Sequence, residues 1–192
     1  MSKKFKFSIQ GTEFQLPISQ VQEDSYNNGT KEKYIYMNAK SAASVIKQFV
    51  KKNYPNLKVW SKSSVYSGGS SVDVDVCNPD GTSITDSKIW DDISSWKSIL
   101  QGGSFDGMYD IYNYREDSPT TDKCSPLKYF PSYIFINNKP KWGSWEYWLN
   151  QWNLKDEYYQ GTINTIDEFL SHNKTYMTDK EYSLVSSNFK SL

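Results

Sequence analysis

Residues 38–77 read NAKSAASVIKQFVKKNYPNLKVWSKSSVYSGGSSVDVDVC, and this stretch decides the predicted fold. Its first part carries a single apolar stripe at the 3.6-residue spacing of an α-helix. Asn38 is the predicted N-cap, because its side-chain oxygen can accept a hydrogen bond from the first helical turn. Pro55 predicts the end of the helix, since the residue before a proline avoids helical dihedral angles. The stripe consists of Ala39, Ala42, Ala43, Ile46, Phe49 and Val50.

The second part of the stretch has the two-residue period of β-strands. Gly68 and Gly69 separate two such runs, and their permissive backbone suits a tight hairpin turn. We expect the apolar residues of both strands to face the helix. The polar residues are expected to face outward, where Lys58 and Lys62 could pair with aspartates of the neighbouring strand. The inward set is Leu57, Val59, Val65, Val72, Val74 and Val76, and the outward set includes Asp73 and Asp75.

The segments after this stretch extend it to an α+β fold. We expect one mostly antiparallel sheet with two helices packed on one of its faces. Asp86 is the predicted N-cap of the second helix. The predicted strands are 57–66, 70–77, 109–114 and 132–136, and the predicted helices are 38–53 and 86–100.

Three regions make up the predicted domain organisation. In residues 1–33, apolar alternation on both sides of Gly11 predicts a strand pair, and the polar residues 19–33 predict a mobile loop. Residues 34–138 form the predicted α+β core domain. Residues 139–192 form a predicted helical extension that packs on this core.

The C-terminal extension is dense in tryptophan. Four of the seven tryptophans of the chain lie close together at helical spacing. Tryptophans in helices are usually core residues, yet Trp and Tyr are also common anchors of protein interfaces. As an interface, this segment would keep at least two of the four rings exposed and would tolerate Trp148→Ala. As core, it would unfold on the same change. The candidate partner-binding residues are Trp142, Trp145, Tyr147, Trp148 and Trp152.

Charge is unevenly distributed, although the net charge is zero. Residues 1–62 contain 11 Lys and 4 acidic residues, a balance of +7, which leaves −7 for residues 63–192. A basic surface on the first third would suit nucleic acid. The single arginine, Arg115, argues against sequence-specific DNA readout, in which Arg makes the commonest base contact. The candidate basic face consists of Lys40, Lys47, Lys51, Lys58 and Lys62.

The composition predicts a cytoplasmic globular protein. The sequence has no apolar run long enough to span a membrane and no N-terminal apolar segment of the kind that directs secretion. Cys77 and Cys124 are far apart and are expected to be reduced, as is usual in the cytosol. The cysteines and the single His172 show no metal-ligand or nucleophile pattern. We therefore predict no metal, no cofactor and no catalytic residues.

Four segments together resemble one family of domains. They are the helix beginning at Asn38, the hairpin SVYSGGSSV of residues 64–72, the sequence FDGM of residues 105–108 followed by Asp110, and the sequence YIF of residues 133–135. In order and spacing these segments are similar to the large polyvalent protein associated domains of type twenty-nine, over residues 34–138. The resemblance implies a protein of a phage or another mobile element. It brings no catalytic residues, because its motifs are turn and packing motifs.

Three functions are consistent with these observations. The first, which we predict, is a non-enzymatic accessory protein that binds and inhibits a host defence protein or ribonucleoprotein, as an anti-CRISPR inhibitor does. The second is a nucleic-acid-binding accessory protein that uses the lysines of the first third. The third is a metal-dependent enzyme in which Asp73 and Asp75, which share one strand face, would hold Mg²⁺. Asp106 and Asp110 complete the acidic residues considered for this role.

Overall fold

The computed structural model describes residues 3–25, 31–115, 126–155, 157 and 161–189. Contacts divide the chain into two compact units. Unit 1 comprises Met1–Val76 and Asp86–Asn137, and unit 2 comprises Cys77–Thr85 and Asn138–Leu192. The described residues form both helices and strands, with antiparallel pairing dominant, which confirms the predicted α+β class.

Unit 1 contains small sheets and two long helices. In chain order its elements are β1 (Lys4–Ile9), β2 (Thr12–Pro17), β3 (Val21–Ser25), β4 (Lys31–Tyr36), α1 (Ala39–Asn53), β5 (Lys58–Tyr66), β6 (Gly69–Cys77), α2 (Ser87–Leu100), β7 (Gly103–Asp106), β8 (Ile111–Tyr114), β9 (Leu127–Lys128) and β10 (Tyr133–Asn138). A short 3-10 turn, Ile18–Gln20, joins β2 to β3. The sheets have the strand orders β1-β2, β3-β4-β9, β10-β6-β5 and β7-β8.

The first helix forms as the sequence predicts. Asn38 Oδ1 accepts a hydrogen bond of 2.9 Å from the Ser41 amide, and the whole predicted apolar stripe is buried. α1 packs against β5, β2 and α2. Phe49 of α1 lies 4.7 Å from Trp96 of α2, measured between ring centroids. The stripe therefore joins the N-terminal hairpin, the second helix and the central sheet in one core.

The central sheet has the order β10-β6-β5. β5 and β6 are antiparallel, because a two-residue turn joins them. The Ser70 amide donates to Ser132 Oγ at 3.3 Å, and Asn137 Nδ2 donates to Asp75 Oδ1 at 2.9 Å. Both contacts join residues 62 positions apart, which indicates that β6 and β10 run parallel. The predicted inward valines of β6, Val72, Val74 and Val76, are buried.

Two predictions about strands are wrong. Residues 109–114 do not add a strand to the central sheet, because residues 111–114 fold back as β8 onto β7. Residues 19–33 are not one loop, since β3 and β4 within this segment are antiparallel neighbours. The polar composition of this pair hid it from a search for apolar alternation, and its cross-strand partners include opposite charges such as Glu23 and Lys33, 3.6 Å apart.

Val65 also departs from the prediction. It lies on the same side of β5 as the buried Val59, yet it is 85% exposed. Val65 lies at the end of the β5–β6 hairpin and, with Asn38 and Ala39, borders an open space near the start of α1. The helix therefore leaves the Val65 side chain exposed. The two-residue alternation of the strand therefore predicted correctly which side of β5 Val65 lies on, but it did not predict that the side chain is exposed.

Unit 2 is a helical cluster. Its helices are α3 (Trp145–Asn153), α4 (Ile166–Asn173) and α5 (Asp179–Phe189), with a 3-10 turn at Lys174–Tyr176. Residues 77–85 belong to this unit, because Ile84 and Asn138 exchange two hydrogen bonds of 2.7 and 2.8 Å. The buried cluster consists of Trp148, Ile163, Phe169, Leu170, Val185 and Phe189. None of the helices in the described residues is long and apolar enough to cross a membrane.

Candidate binding surface

The β7–β8 hairpin turns through an aspartate at each end of its loop. Asp106 Oδ1 accepts a hydrogen bond of 2.9 Å from the Met108 amide, a contact typical of aspartate in a turn. Asp110 adopts a left-handed conformation with a φ of 55°. Gly107, the glycine of this turn, has no positive φ. A short Asp side chain also tolerates this conformation.

Four large apolar side chains of this hairpin are exposed. Met108 and Tyr109 are 86% and 70% exposed in the loop, and Phe105 and Ile111 are exposed on opposite faces of the two strands. Single exposed apolar residues are ordinary on a protein surface, whereas a contiguous group is typical of an interaction site. We call Phe105, Met108, Tyr109 and Ile111 the hairpin tip.

Tyr112 fixes the base of this hairpin against the central sheet. Its ring lies 5.6 Å from that of Tyr133 in β10, and its hydroxyl donates to the Ser132 carbonyl at 2.5 Å. Burial raises the pKa of Tyr112 to about 12, and the neighbouring Tyr133 contributes in the same direction. The hydroxyl therefore stays protonated at neutral pH and continues to donate this hydrogen bond.

The central sheet presents its polar side to solvent. Trp60, Tyr66 and Phe135 are exposed on it, and Phe135 stacks on Tyr133 with ring planes 14° apart. Lys58 and Lys62 flank Trp60 at two-residue spacing, which puts all three side chains on one side of β5. We call this side of the sheet the exposed sheet face, and it consists of Lys58, Trp60, Lys62, Tyr66, Asp73, Asp75, Tyr133 and Phe135.

The predicted basic face does not form one surface. Lys40, Lys47 and Lys51 lie on the side of α1 away from its buried stripe. Lys58 and Lys62 lie on the exposed sheet face, whereas α1 packs on the side of β5 that buries Val59. The sequence pattern predicted correctly that the lysines of α1 share one side of the helix and that Lys58 and Lys62 share one side of the strand. The packing of α1 on the opposite side of the strand separates the two sets.

Of the predicted tryptophan surface, one residue is buried and four keep exposed area. Trp148 is 2% exposed, and Trp145, Tyr147 and Trp152 are half-buried against the same cluster. Trp148 is therefore unavailable as an interface anchor, which corrects its assignment. α3 packs against α5, and the buried cluster also contains residues of α4. The aromatic stripe of α3 is broad because its side chains contact both of these helices. Trp142, which precedes α3, remains 56% exposed.

The acidic residues considered for metal binding are engaged in other ways or stay apart. Asp75 accepts the Asn137 amide, and Asp106 accepts the amide of its own turn. Within the described part of the chain, no three His, Cys, Asp or Glu side chains come together as metal ligands. His172 is exposed on α4, and Cys77 is buried. Cys124 lies outside the described residues.

Sequence reasoning missed the hairpin tip because it assigned these residues a structural role. FDGM was interpreted as a turn, and residues 109–114 as a strand of the central sheet. A signal was present: four large apolar residues lie within seven positions on both sides of a turn. Side chains on the two arms and the loop of one tight turn cannot all face one core, so some had to be exposed.

The comparisons with known proteins identify no relative. No protein-family model, no curated protein and no solved structure matches the chain. The similarity to the large polyvalent protein associated domains therefore stays a prediction.

Proposed function

We propose that this chain is a non-enzymatic accessory protein of a phage or another mobile element, and that it binds and inhibits a host defence component in the cytoplasm. The observation that supports binding most strongly is the hairpin tip, where four large apolar side chains are exposed around one turn. The mobile-element context comes from the resemblance over residues 34–138. Inhibition by contact requires no catalytic group in the inhibitor.

The chemistry of the surface favours a protein as the contacted component. The hairpin tip is flanked by the acidic side chains of Asp106 and Asp110, which would repel a phosphate backbone. Tyr and Met are enriched at the buried centres of protein interfaces. On the exposed sheet face, Lys58 and Lys62 are balanced by Asp73 and Asp75. A nucleic-acid surface would instead need an excess of positive charge. The tip would therefore supply the apolar centre of the contact, and the sheet face a polar rim.

The test is a protection assay in cells that carry the matching defence system. Cells producing the chain are challenged with a targeted phage or plasmid, and survival of the target is counted. We expect the wild type to protect it. The double variant Met108→Ser, Tyr109→Ser should lose protection, because removing an interface anchor typically weakens binding by about 2 kcal/mol or more.

The control is the double variant Tyr176→Ser, Leu184→Ser. These two side chains are also large, apolar and exposed, but they belong to unit 2. The control should protect as well as the wild type, and both double variants should keep the wild-type melting temperature. Equal protection by the tip variant, or capture of the purified defence component by wild type and tip variant alike, would contradict the role of the hairpin tip.

A second candidate, nucleic-acid binding, is favoured by one observation on α1. This helix contains Lys40, Lys47, Lys51 and Lys52 and no acidic residue. Such binding should weaken steeply with salt, since each neutralised phosphate adds about −0.9 to the slope of log K against log salt. In a gel-shift assay, the double variant Lys40→Glu, Lys51→Glu should abolish it, whereas Lys180→Glu in unit 2 should not.

A further inference from the structure

Apolar side chains are exposed on both faces of the β7–β8 hairpin. In this antiparallel pair, Phe105 lies opposite Tyr112, and Asp106 lies opposite Ile111. Residues that lie opposite each other share a face of the hairpin, and successive residues of one strand point to opposite faces. Phe105 is therefore on one face and Ile111 on the other, and they are 50% and 55% exposed.

The loop adds apolar side chains at the end of the hairpin. Met108 and Tyr109 are exposed there. The Phe105 ring extends toward the loop, because its Cε1 atom lies 3.7 Å from the position that a Cβ of Gly107 would take. The hairpin therefore carries exposed apolar groups on its two faces and at its end.

This distribution fits a concave partner surface. A flat surface could cover only one face of the hairpin, and the apolar groups of the other face would stay in water, where they add nothing to binding. A cleft that admits the end of the hairpin would cover both faces and the loop. Side chains that contribute most to binding are usually enclosed in such desolvated pockets.

The charges of the hairpin are acidic. Between Gly103 and Tyr114 the charged residues are Asp106 and Asp110. Asp106 shares a face with Ile111, and Asp110 is exposed at the end of the loop. A carboxylate at an interface is stabilised by a lysine or arginine beside it and destabilised by another anion. The wall of a matching cleft would therefore carry positive charge.

The same two carboxylates disfavour three other occupants. Two copies of this chain that met tip to tip would bring like charges together. A nucleic acid would bring phosphates to the carboxylates. A membrane would accept the apolar end of the hairpin, but anionic lipids give its surface a negative potential. A protein cleft with a positively charged wall matches both the apolar groups and the charges.

We propose that the β7–β8 hairpin inserts its tip into an apolar cleft of the target protein, with Asp106 and Asp110 next to basic side chains of the cleft wall. The inference rests on the proposed function and adds the shape and charge of the contacted site. Tyr112 attaches the base of the hairpin to the central sheet, so the tip is held in position before it inserts. Such preorganisation lowers the entropic cost of binding.

Phe105→Thr and Ile111→Thr test the two faces separately. Thr is polar and still suits a strand, so both variants should keep the wild-type melting temperature. Each is produced at a series of inducer levels in the protection assay, and the level that protects half of the target is measured. Insertion into a cleft predicts that each variant needs at least fivefold more inducer than the wild type, because both faces contact the partner.

Tyr176→Thr is the control, since it removes an exposed ring from unit 2 and should not change this level. A loss of protection in only one of the two face variants would indicate a flat contact and overturn the cleft. Wild-type protection by both face variants would overturn it as well.

Asp110→Asn tests the positive charge of the cleft wall. Asn tolerates the left-handed conformation of Asp110, so the variant changes the charge and little else. We expect it to need about twofold more inducer or higher, as for the loss of an exposed ion pair. Asp91→Asn removes an exposed carboxylate from α2 and should behave as the wild type. Equal protection by Asp110→Asn and the wild type would overturn the charged wall.

Three binding measurements on the full chain test the other occupants. They are size-exclusion chromatography, a gel shift with single-stranded DNA, and sedimentation with vesicles of phosphatidylcholine and phosphatidylglycerol. A dimer, a shift or a sedimented fraction that Phe105→Thr abolishes would overturn the protein cleft. A wild type that does not protect would overturn the proposed function and this inference together, whereas protection that needs only one face would overturn the cleft alone.

Discussion

Gly68 is the residue on which the central hairpin turn depends. Its φ is +85°, a conformation that residues with a side chain rarely adopt, and there is open space where a Cβ would stand. Gly69 has an ordinary φ, but a Cβ there would lie 2.9 Å from Ser132 Oγ. The sequence predicted both glycines to be required, and the structure assigns them different reasons: backbone conformation for Gly68 and space for Gly69.

Gly68→Val should lower the free energy of unfolding by about 1–3 kcal/mol, because valine is strained at this φ. Gly68→Asn is the matched control and should lose less, since Asn tolerates the left-handed region. Urea unfolding followed by circular dichroism measures both. Equal losses in the two variants would show that the φ of this residue does not set the cost.

Trp148 combines a buried ring with an unsatisfied N–H group. It is the largest fully buried side chain of unit 2, and its Nε1 has no hydrogen-bond partner among the described residues. Leaving a buried donor unsatisfied costs about 1–3 kcal/mol. The ring therefore stabilises unit 2 by packing, while its N–H group works against that gain.

Trp148→Ala should lower the free energy of unfolding by about 3–5 kcal/mol, the usual cost of removing a large buried ring. Trp148→Phe should lose much less, because it keeps an aromatic ring and removes the unsatisfied donor. Thermal unfolding monitored by near-ultraviolet circular dichroism compares the two. A melting curve of Trp148→Ala that matches the wild type would restore the interface interpretation of this residue.

At the scale of the element, the β7–β8 hairpin has an exposed loop, and its strands are attached to the central sheet. The tip places apolar side chains in solvent, an arrangement that an isolated two-stranded hairpin would not hold in a fixed position. Tyr112 provides the attachment through its ring contact with Tyr133 and its hydrogen bond to Ser132. A positioned tip loses less conformational entropy on binding than a flexible loop does.

The pKa of Tyr112 makes this attachment sensitive to alkaline pH. Burial raises the pKa from 10.0 to about 12, so the folded state favours the protonated hydroxyl. The resulting stabilisation is complete below pH 10.0 and is lost as the pH rises through about 12. Tyr112→Phe should unfold about 1 kcal/mol more easily at neutral pH, because it lacks the hydrogen bond.

The free energy of unfolding of Tyr112→Phe should also depend less on pH in this alkaline range than that of the wild type. Tyr54→Phe is a useful comparison, since the hydrogen bond to Asp92 and burial raise the pKa of Tyr54 to about 12 as well. Tyr54→Phe should flatten the same range without altering the hairpin. Identical alkaline profiles of the wild type and Tyr112→Phe would contradict the proposed attachment.

At the scale of the whole molecule, two glutamates with lowered pKa values make the stability of unit 2 sensitive to acid. Backbone hydrogen bonds from Asn164 and Thr165 lower the pKa of Glu168. Hydrogen bonds from the backbone amide and the hydroxyl of Thr178 lower the pKa of Glu181. A carboxylate with a lowered pKa stabilises the fold above its ordinary value of 4.5, and this contribution is lost as the pH falls through the folded-state value. Both glutamates cap helices of unit 2.

Acidification below pH 4.5 should therefore destabilise unit 2 in the wild type more than in the double variant Glu168→Gln, Glu181→Gln. The measurement is the melting temperature across the acid range, followed by tryptophan fluorescence, since four of the seven tryptophans lie in unit 2. Asp167→Asn is the control, because it removes an exposed carboxylate from the same helix. An equally steep acid dependence in the glutamate variant would contradict the capping role.

Local patterns in the chain were sufficient for most elements. Asn38 caps α1, Asp86 caps α2, and Val72, Val74 and Val76 are buried, because helix capping and strand alternation depend on neighbouring residues alone. The α+β class followed from the same periodicities. These features needed no knowledge of which elements would meet.

The binding surface depended on long-range packing. Periodicity states which side chains share a face, but not whether another element covers that face. For this reason Val65 and the hairpin tip are exposed, whereas Trp148 is buried by helices that are distant from it in sequence. The same packing separates the lysines of α1 from Lys58 and Lys62. Burial is a property of the assembled core, because it requires atoms from segments that no local pattern brings together.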